Sequence, residues 1–119
     1  MLPALAEATR TRRLLRLRYR GLLRLVMPLA YGVASSGEEL LRAWQIAGPS
    51  ASGETRGWKM FRVSRIGGLA PTGRGFGADE IPPDFNPDDP LMVRVYARCT
   101  DRAPMPRPYP LRNRRRSRS

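Results

Sequence analysis

Residues 59–66, Lys-Met-Phe-Arg-Val-Ser-Arg-Ile, are a short apolar run that carries three basic side chains, and we expect the fold to be organised around them. Phe61 and Val63 share one face of a strand, but Ile66 is out of phase with them by one residue. We therefore predict a β-bulge near Ser64, which absorbs the extra residue and lets all three apolar side chains point into a core.

The predicted bulge also sets the direction of two arginines. Strict alternation places Arg62 and Arg65 on opposite faces of the strand, whereas one extra residue turns both of them outward. Two neighbouring guanidinium groups suit a phosphate or a carboxylate, because each is planar, permanently charged and able to donate two parallel hydrogen bonds. The alternative is a solvated basic face that only keeps the protein soluble, and the spacing alone favours that alternative.

Size and composition exclude most classes of function. The chain of 119 residues has the size of one domain with one modest core. Cys99 is the only cysteine and there is no histidine, which excludes an intramolecular disulfide, the usual zinc ligand sets and Cys-His or Ser-His catalysis. The chain also lacks a phosphate-loop pattern and paired carboxylates in an ordered segment. We therefore expect neither an enzyme nor a cofactor.

The charge of the chain points to a polyanionic partner. The formal net charge is +12, and the charges are segregated along the chain. Arginines are dense in residues 1–24 and 102–119, whereas acidic side chains are concentrated in residues 79–89. The apolar runs are too short to cross a bilayer, and residues 1–8 lack the pattern of a secretory signal. We therefore predict a cytoplasmic protein with no membrane partner.

Hydrophobic periodicity predicts one leading helix followed by short strands. The helix covers residues 3–13, and strands follow at residues 15–20, 24–33, 39–47, 59–66 and 69–72. Pro28 requires an edge position or a bulge in its strand, because it has no N–H group for the ladder. No connection is long enough to hold a crossover helix. The predicted fold class is therefore mainly β, a small antiparallel barrel of about five strands behind a short helix.

The composition divides the chain into three parts. Residues 1–78 form the helix and the barrel, and residues 79–100 form an acidic, proline-rich linker that ends in a sixth strand at residues 91–99. That strand either extends the sheet or pairs with another chain. Residues 101–119 are a disordered tail rich in arginine and proline, and residues 48–57 are a mobile loop before the central strand.

The ordered motifs together resemble the WYL domain of bacterial transcriptional regulators and defence-associated proteins. They lie at residues 18–21, 24–28, 39–44, 58–66 and 76, and the most specific of them is Phe-Arg-Val-Ser-Arg-Ile within the fourth. The resemblance covers roughly residues 3–85. It implies an Sm-like or SH3-like barrel behind a short helix, which senses ligands such as nucleic acids or nucleotides.

The resemblance also implies which residues contact the ligand. Its basic contacts correspond to Lys59, Arg62 and Arg65, and Tyr19 and Arg24 lie nearby by motif position. From its place between the glycine-rich loop and Lys59, we add Trp58, whose indole is expected to stack on a base.

Some positions depart from the family pattern. The Trp-Tyr-Leu triplet that names the family corresponds to residues 39–41, Glu-Leu-Leu, so that only the leucine remains. Lys59 stands where the family usually has arginine, and Ser64 replaces a common aspartate. Trp44 is expected in the core rather than at the ligand. Family members commonly carry a DNA-binding winged helix before this domain and an extension after it, so we expect a stand-alone module or a fragment.

Two functions follow from these observations. The first is a WYL-like regulatory module that binds a single-stranded nucleic acid or a nucleotide and modulates a DNA-binding or defence protein. The second is a nucleic-acid-binding barrel without sensing, in which the helix, the first strand and the tail make non-specific phosphate contacts. A homodimer is compatible with both functions.

Overall fold

A computed structural model describes residues 1–48 and 56–101 of the chain. These residues form a mainly β fold with one short helix at its N-terminus, as the periodicity predicts. The elements are α1 (Pro3–Arg10), β1 (Arg13–Tyr19), β2 (Leu22–Val33), β3 (Glu39–Ala47), β4 (Gly57–Arg62), β5 (Ile66–Gly75) and β6 (Arg94–Arg98). Most of the predicted mobile loop and nearly all of the predicted tail lie outside the described residues.

The strands form one antiparallel sheet in which β1 to β4 are neighbours in chain order, whereas β5 lies beside β1. Five strands run in the order β4-β3-β2-β1-β5, and β6 pairs with β2. β2 changes its neighbour along its length, because its first half pairs with β1 as far as Val26 and its second half pairs with β6 from Ala30. The predicted sixth strand therefore extends the sheet of its own chain, over fewer residues than predicted.

Pro28 lies between the two halves of β2. Neither β1 nor β6 pairs with this position, and the register between β2 and β3 shifts between Pro28 and Ala30. Pro28 pairs with Ala43 of β3 alone, and its missing N–H group falls directly beside an irregularity of the ladder. The prediction that proline requires a bulge or an edge here is confirmed.

The central stretch differs from its prediction. β4 ends at Arg62, and residues Val63–Arg65 form a 3₁₀ turn before β5 begins at Ile66. The predicted bulge near Ser64 is therefore wrong. A bulge keeps one strand continuous, but β4 and β5 lie at opposite ends of the strand order, so that the chain has to leave one strand and enter another.

Helix α1 covers one face of the sheet and completes the main core. Leu5 and Ala6 of the helix pack with the buried side chains of Leu15, Tyr31 and Phe61. The helix ends three residues earlier than predicted, because the chain turns at Arg12, which adopts a left-handed φ of 57°. The alternation predicted for β1 is confirmed, since its leucines are buried and its arginines are exposed.

A second cluster lies around Leu29, Phe76 and Cys99. Burial raises the pKa of the Cys99 thiol to about 11, so this thiol is protonated at neutral pH. Half-buried Trp44 and Trp58 pack against the same cluster. In the described part of the chain, no helix is long and apolar enough to cross a membrane.

Gly32 permits the close approach of β6 to β2. A Cβ atom at this position would lie 2.3 Å from the carbonyl oxygen of Arg94 and 2.9 Å from the sulfur of Met92. We therefore expect Gly32→Ala to lower the free energy of unfolding by about 1–3 kcal/mol, measured by urea denaturation, because the added methyl group overpacks this region.

Gly68→Ala is the matched control for this variant. A Cβ atom at Gly68 meets no atom within 4 Å, so this change should stay within about 0.5 kcal/mol of the wild type. A Gly32→Ala protein as stable as the Gly68→Ala protein would contradict the packing of β6 on β2.

Candidate functional site

An open pocket of about 620 Å³ lies along one edge of β4. Residues 59–62, four in succession, line it, although alternate residues of a strand point to opposite faces of a sheet. The pocket therefore contacts the edge of the strand and both of its faces. Among the described strands, β4 pairs with β3 alone, which leaves its other edge for the pocket.

The lining of the pocket is strongly cationic. It contains one acidic side chain, Glu38, against five basic ones. The basic residues are Arg20, Arg24, Lys59, Arg62 and Arg65. The Nε atom of Arg62 lies 3.7 Å from a carboxylate oxygen of Glu38, and both side chains are partly open to solvent, so this ion pair is weak. The field in the pocket favours an anion.

The 3₁₀ turn brings Arg62 and Arg65 to the same pocket. Arg62 ends β4 and Arg65 is the last residue of the turn, so they are three positions apart. Arg62 keeps the extended backbone of the strand end, so the turn of Val63–Arg65 redirects the chain between the two arginines. The turn thus has the consequence that we expected from the bulge, because both guanidinium groups are exposed and line one pocket.

Arg24 is a buried positive charge in the wall of this pocket. Arg24 is only 4% exposed, and its guanidinium donates hydrogen bonds of 3.3 Å to the side-chain oxygen of Gln45 and to the carbonyl oxygen of Tyr19. Its guanidinium carbon also lies 5.5 Å from the ring centre of Tyr19 and 5.7 Å from that of Phe61. These contacts fix the guanidinium in one place.

No carboxylate of the described residues lies within ion-pair distance of Arg24, and its buried Nε atom has no hydrogen-bond partner among them. Burial lowers the pKa of Arg24 from its ordinary value, yet an arginine starts so far above neutrality that it stays charged. The pocket therefore contains a desolvated cation without an anionic partner from the described part of the protein.

Tyr19 connects the core to the edge of β4. Its ring is buried and meets Phe61 edge to face, with 4.9 Å between the ring centres. Its hydroxyl accepts a hydrogen bond of 3.2 Å from the backbone N–H of Arg62. The ring of Tyr19 therefore belongs to the core, while its hydroxyl reaches the edge of β4.

Trp58 is the one predicted site residue that does not line this pocket. Its ring meets Trp44 edge to face at 5.4 Å, and it stacks on Phe85 at 6.4 Å. Its indole N–H donates a hydrogen bond of 3.1 Å to Asp84. Trp58 thus packs against the acidic segment, by which we mean residues 79–93 between β5 and β6. The other five predicted residues come together in the cationic pocket.

The acidic segment that follows β5 packs on the sheet and contributes Leu91 to the pocket. Asp89 anchors this part of the segment, because one of its carboxylate oxygens lies 2.7 Å from Nε of Arg42. Its other carboxylate oxygen accepts a hydrogen bond of 3.0 Å from the N–H of Leu91. Sequence reasoning missed Leu91, because no local pattern reports that residue 91 lies near β4.

Comparison with known proteins finds no relative of this chain. No protein-family model matches the chain, and no curated protein or solved structure matches it. Among residues 1–48 and 56–101, no group of three or more His, Cys, Asp or Glu side chains could hold a metal ion. Fold and site together define a mainly β domain with a cationic pocket at the edge of its sheet.

Proposed function

We propose that the protein is a cytoplasmic, WYL-like regulatory module that binds a single-stranded nucleic acid or a nucleotide in the cationic pocket and modulates a DNA-binding or defence protein. The observation that carries this proposal is Arg24, a buried cation without a carboxylate partner among the described residues. Desolvating an unpaired charge costs several kcal/mol. A bound phosphate would offset this cost by supplying the missing anion.

The other basic side chains support a phosphate ligand. Arg62 and Arg65 offer exposed forked donors at the mouth of the pocket, and Lys59 adds a further cation. A carboxylate ligand would satisfy one such fork, whereas a nucleic acid carries one negative charge per nucleotide and engages several cations at once. The number of basic residues in one pocket therefore favours the polyanion.

The connection between β4 and β5 supports the barrel that the WYL resemblance implies. These strands are the first and last of five in the strand order, so in a flat sheet they would lie about 19 Å apart. The three residues of the 3₁₀ turn are all that joins them, and a fully extended chain from Arg62 to Ile66 spans at most about 14 Å. We infer that the sheet curls toward a small Sm-like or SH3-like barrel.

A second candidate is a nucleic-acid-binding barrel that does not sense its ligand. The observation in its favour is that Arg16 and Arg18 are exposed on β1 and do not line the pocket. Such side chains bind phosphate groups through charge alone.

Titration of a fluorescently labelled single-stranded oligonucleotide distinguishes the two candidates. We expect saturable binding with one oligonucleotide per site, read by fluorescence anisotropy.

A chain without residues 112–119 has five fewer arginines, so its affinity should fall. The slope of the logarithm of its affinity against the logarithm of the salt concentration should become shallower, by up to about 0.7 for each phosphate that is no longer neutralised. Its order of preference among ligands should stay the same. If removing the tail abolishes all preference, the proposed pocket is not the binding site.

A further inference from the structure

The edge of β4 that faces the pocket carries main-chain groups that the sheet does not use. The N–H of Arg62 donates to the hydroxyl of Tyr19, so it points away from β3. In an antiparallel pair, successive residues alternate between bonding to the partner strand and pointing away from it. The register between β3 and β4 has no shift from Arg62 back to Gly57. The N–H and C=O groups of Met60 therefore also point away from β3.

Met60 thus presents one donor and one acceptor side by side along the pocket. These are the groups with which one residue of an antiparallel strand exchanges two hydrogen bonds with its partner. Each nucleobase also carries neighbouring donors and acceptors on the edge that it uses for base pairing. A base in the plane of the sheet could therefore take the position that a neighbouring strand would otherwise occupy.

The pocket supplies an apolar surface next to this edge. Leu40 and Met60 line it from the sheet, and Leu91 lines it from the acidic segment. Leu91 is 56% exposed, although its backbone is held by the carboxylate of Asp89. An exposed leucine fixed beside a cationic pocket gains from being covered by an apolar ligand face. The flat face of a base provides such a surface.

We propose that the β4 edge binds the base of the ligand, with Met60 pairing through its main chain and Leu91 covering one face of the base. The phosphate then lies among Arg24, Arg62 and Arg65, which line the same pocket. This inference rests on the proposed function and deepens it, because it assigns the base of the ligand, and not only its phosphate, to a place in the pocket.

Competition experiments on the full chain test the proposal. A labelled single-stranded oligonucleotide is displaced by the four ribonucleoside 5′-monophosphates and, separately, by ribose 5-phosphate, which has the same phosphate but no base. We expect the best nucleotide to compete at a concentration at least tenfold lower than ribose 5-phosphate. Equal competition by all five compounds would overturn the role of the β4 edge.

Variants on the acidic segment test whether Leu91 contacts the base. Leu91→Ser should weaken nucleotide competition about tenfold and leave ribose 5-phosphate unchanged. Val93→Ser is the matched control, since Val93 is 67% exposed on the same segment and does not line the pocket, and it should change neither. If both variants weaken the nucleotides equally, Leu91 does not contact the base and the proposal fails.

The outcomes also separate this inference from the proposed function. If the nucleotides and ribose 5-phosphate compete equally while oligonucleotide binding still requires Arg62 and Arg65, only the proposed interaction with the base is overturned. Oligonucleotide binding that survives the removal of both arginines overturns the proposed function itself. Stronger competition by an acidic peptide than by every nucleotide would assign the β4 edge to strand addition by a peptide, and would reject the nucleotide.

Discussion

Replacing both Arg62 and Arg65 with alanine is expected to lower the affinity for a single-stranded oligonucleotide by roughly 100-fold or more. Removing each charge-assisted hydrogen bond costs about 1.5–3 kcal/mol, and about 1.4 kcal/mol corresponds to a factor of ten in affinity. The fold should remain intact, because both side chains are exposed and Arg62 makes only a weak ion pair with Glu38. Anisotropy titration measures the affinity, and the melting temperature from thermal unfolding shows whether the fold is intact.

A second double variant, Arg16→Ala with Arg18→Ala, removes the same charge from another part of the surface. Both arginines are exposed on β1, and neither lines the pocket. We expect this control to lose only the small, salt-sensitive part of the affinity that follows from net charge. Equal losses of affinity in the two double variants would mean that the protein binds polyanions by charge alone. A strongly lowered melting temperature for the first variant would instead make its arginines structural.

The sequence predicted those parts of the fold that depend on neighbouring residues. In β1, alternation of leucine and arginine is enough to define the buried face, because every second side chain points to the same side. In the central stretch, the phase of Phe61, Val63 and Ile66 correctly indicated a break in strict alternation, but the single inserted residue that we predicted is wrong. Whether such a break is a bulge or a turn between two strands depends on where β5 goes next, which is a property of the whole sheet.

The same limit applies to the site. Arg62 and Arg65 were predicted as a pair from the expected bulge and from the WYL resemblance, because their spacing alone favoured a solvated face. The period of β2 gives one signal for the burial of Arg24, because Arg24 is in phase with the buried Val26. The position of Trp58 depends on Asp84 and Phe85, which lie far along the chain in a segment without regular structure. No pattern around Trp58 reports that interaction.

Arg24→Met is expected to separate binding from stability. The variant removes the buried cation while keeping a side chain of similar length. We expect oligonucleotide affinity to fall at least tenfold, because the phosphate no longer receives one charge-assisted hydrogen bond. Two opposing effects act on the fold. Removing an unpaired buried charge is favourable, whereas Gln45 and the carbonyl of Tyr19 are deprived of a hydrogen-bond donor at about 1–3 kcal/mol each. We therefore expect the free energy of unfolding to change by no more than about 2 kcal/mol.

Arg42→Met provides the comparison for stability, because Arg42 is a cation whose anion is present. Its partner Asp89 is only 5% exposed, so removing Arg42 leaves a nearly buried carboxylate without its cation and should cost up to about 3 kcal/mol. Urea denaturation with and without saturating oligonucleotide measures both effects. The ligand should stabilise the wild type, and should stabilise the Arg24→Met protein much less. The Arg42→Met protein is compared for stability without ligand only, because Arg42 holds Asp89 and with it the backbone of Leu91. If Arg24→Met is the least stable variant and still gains full stabilisation from the ligand, Arg24 is a structural residue, and the proposed function loses the observation that carries it.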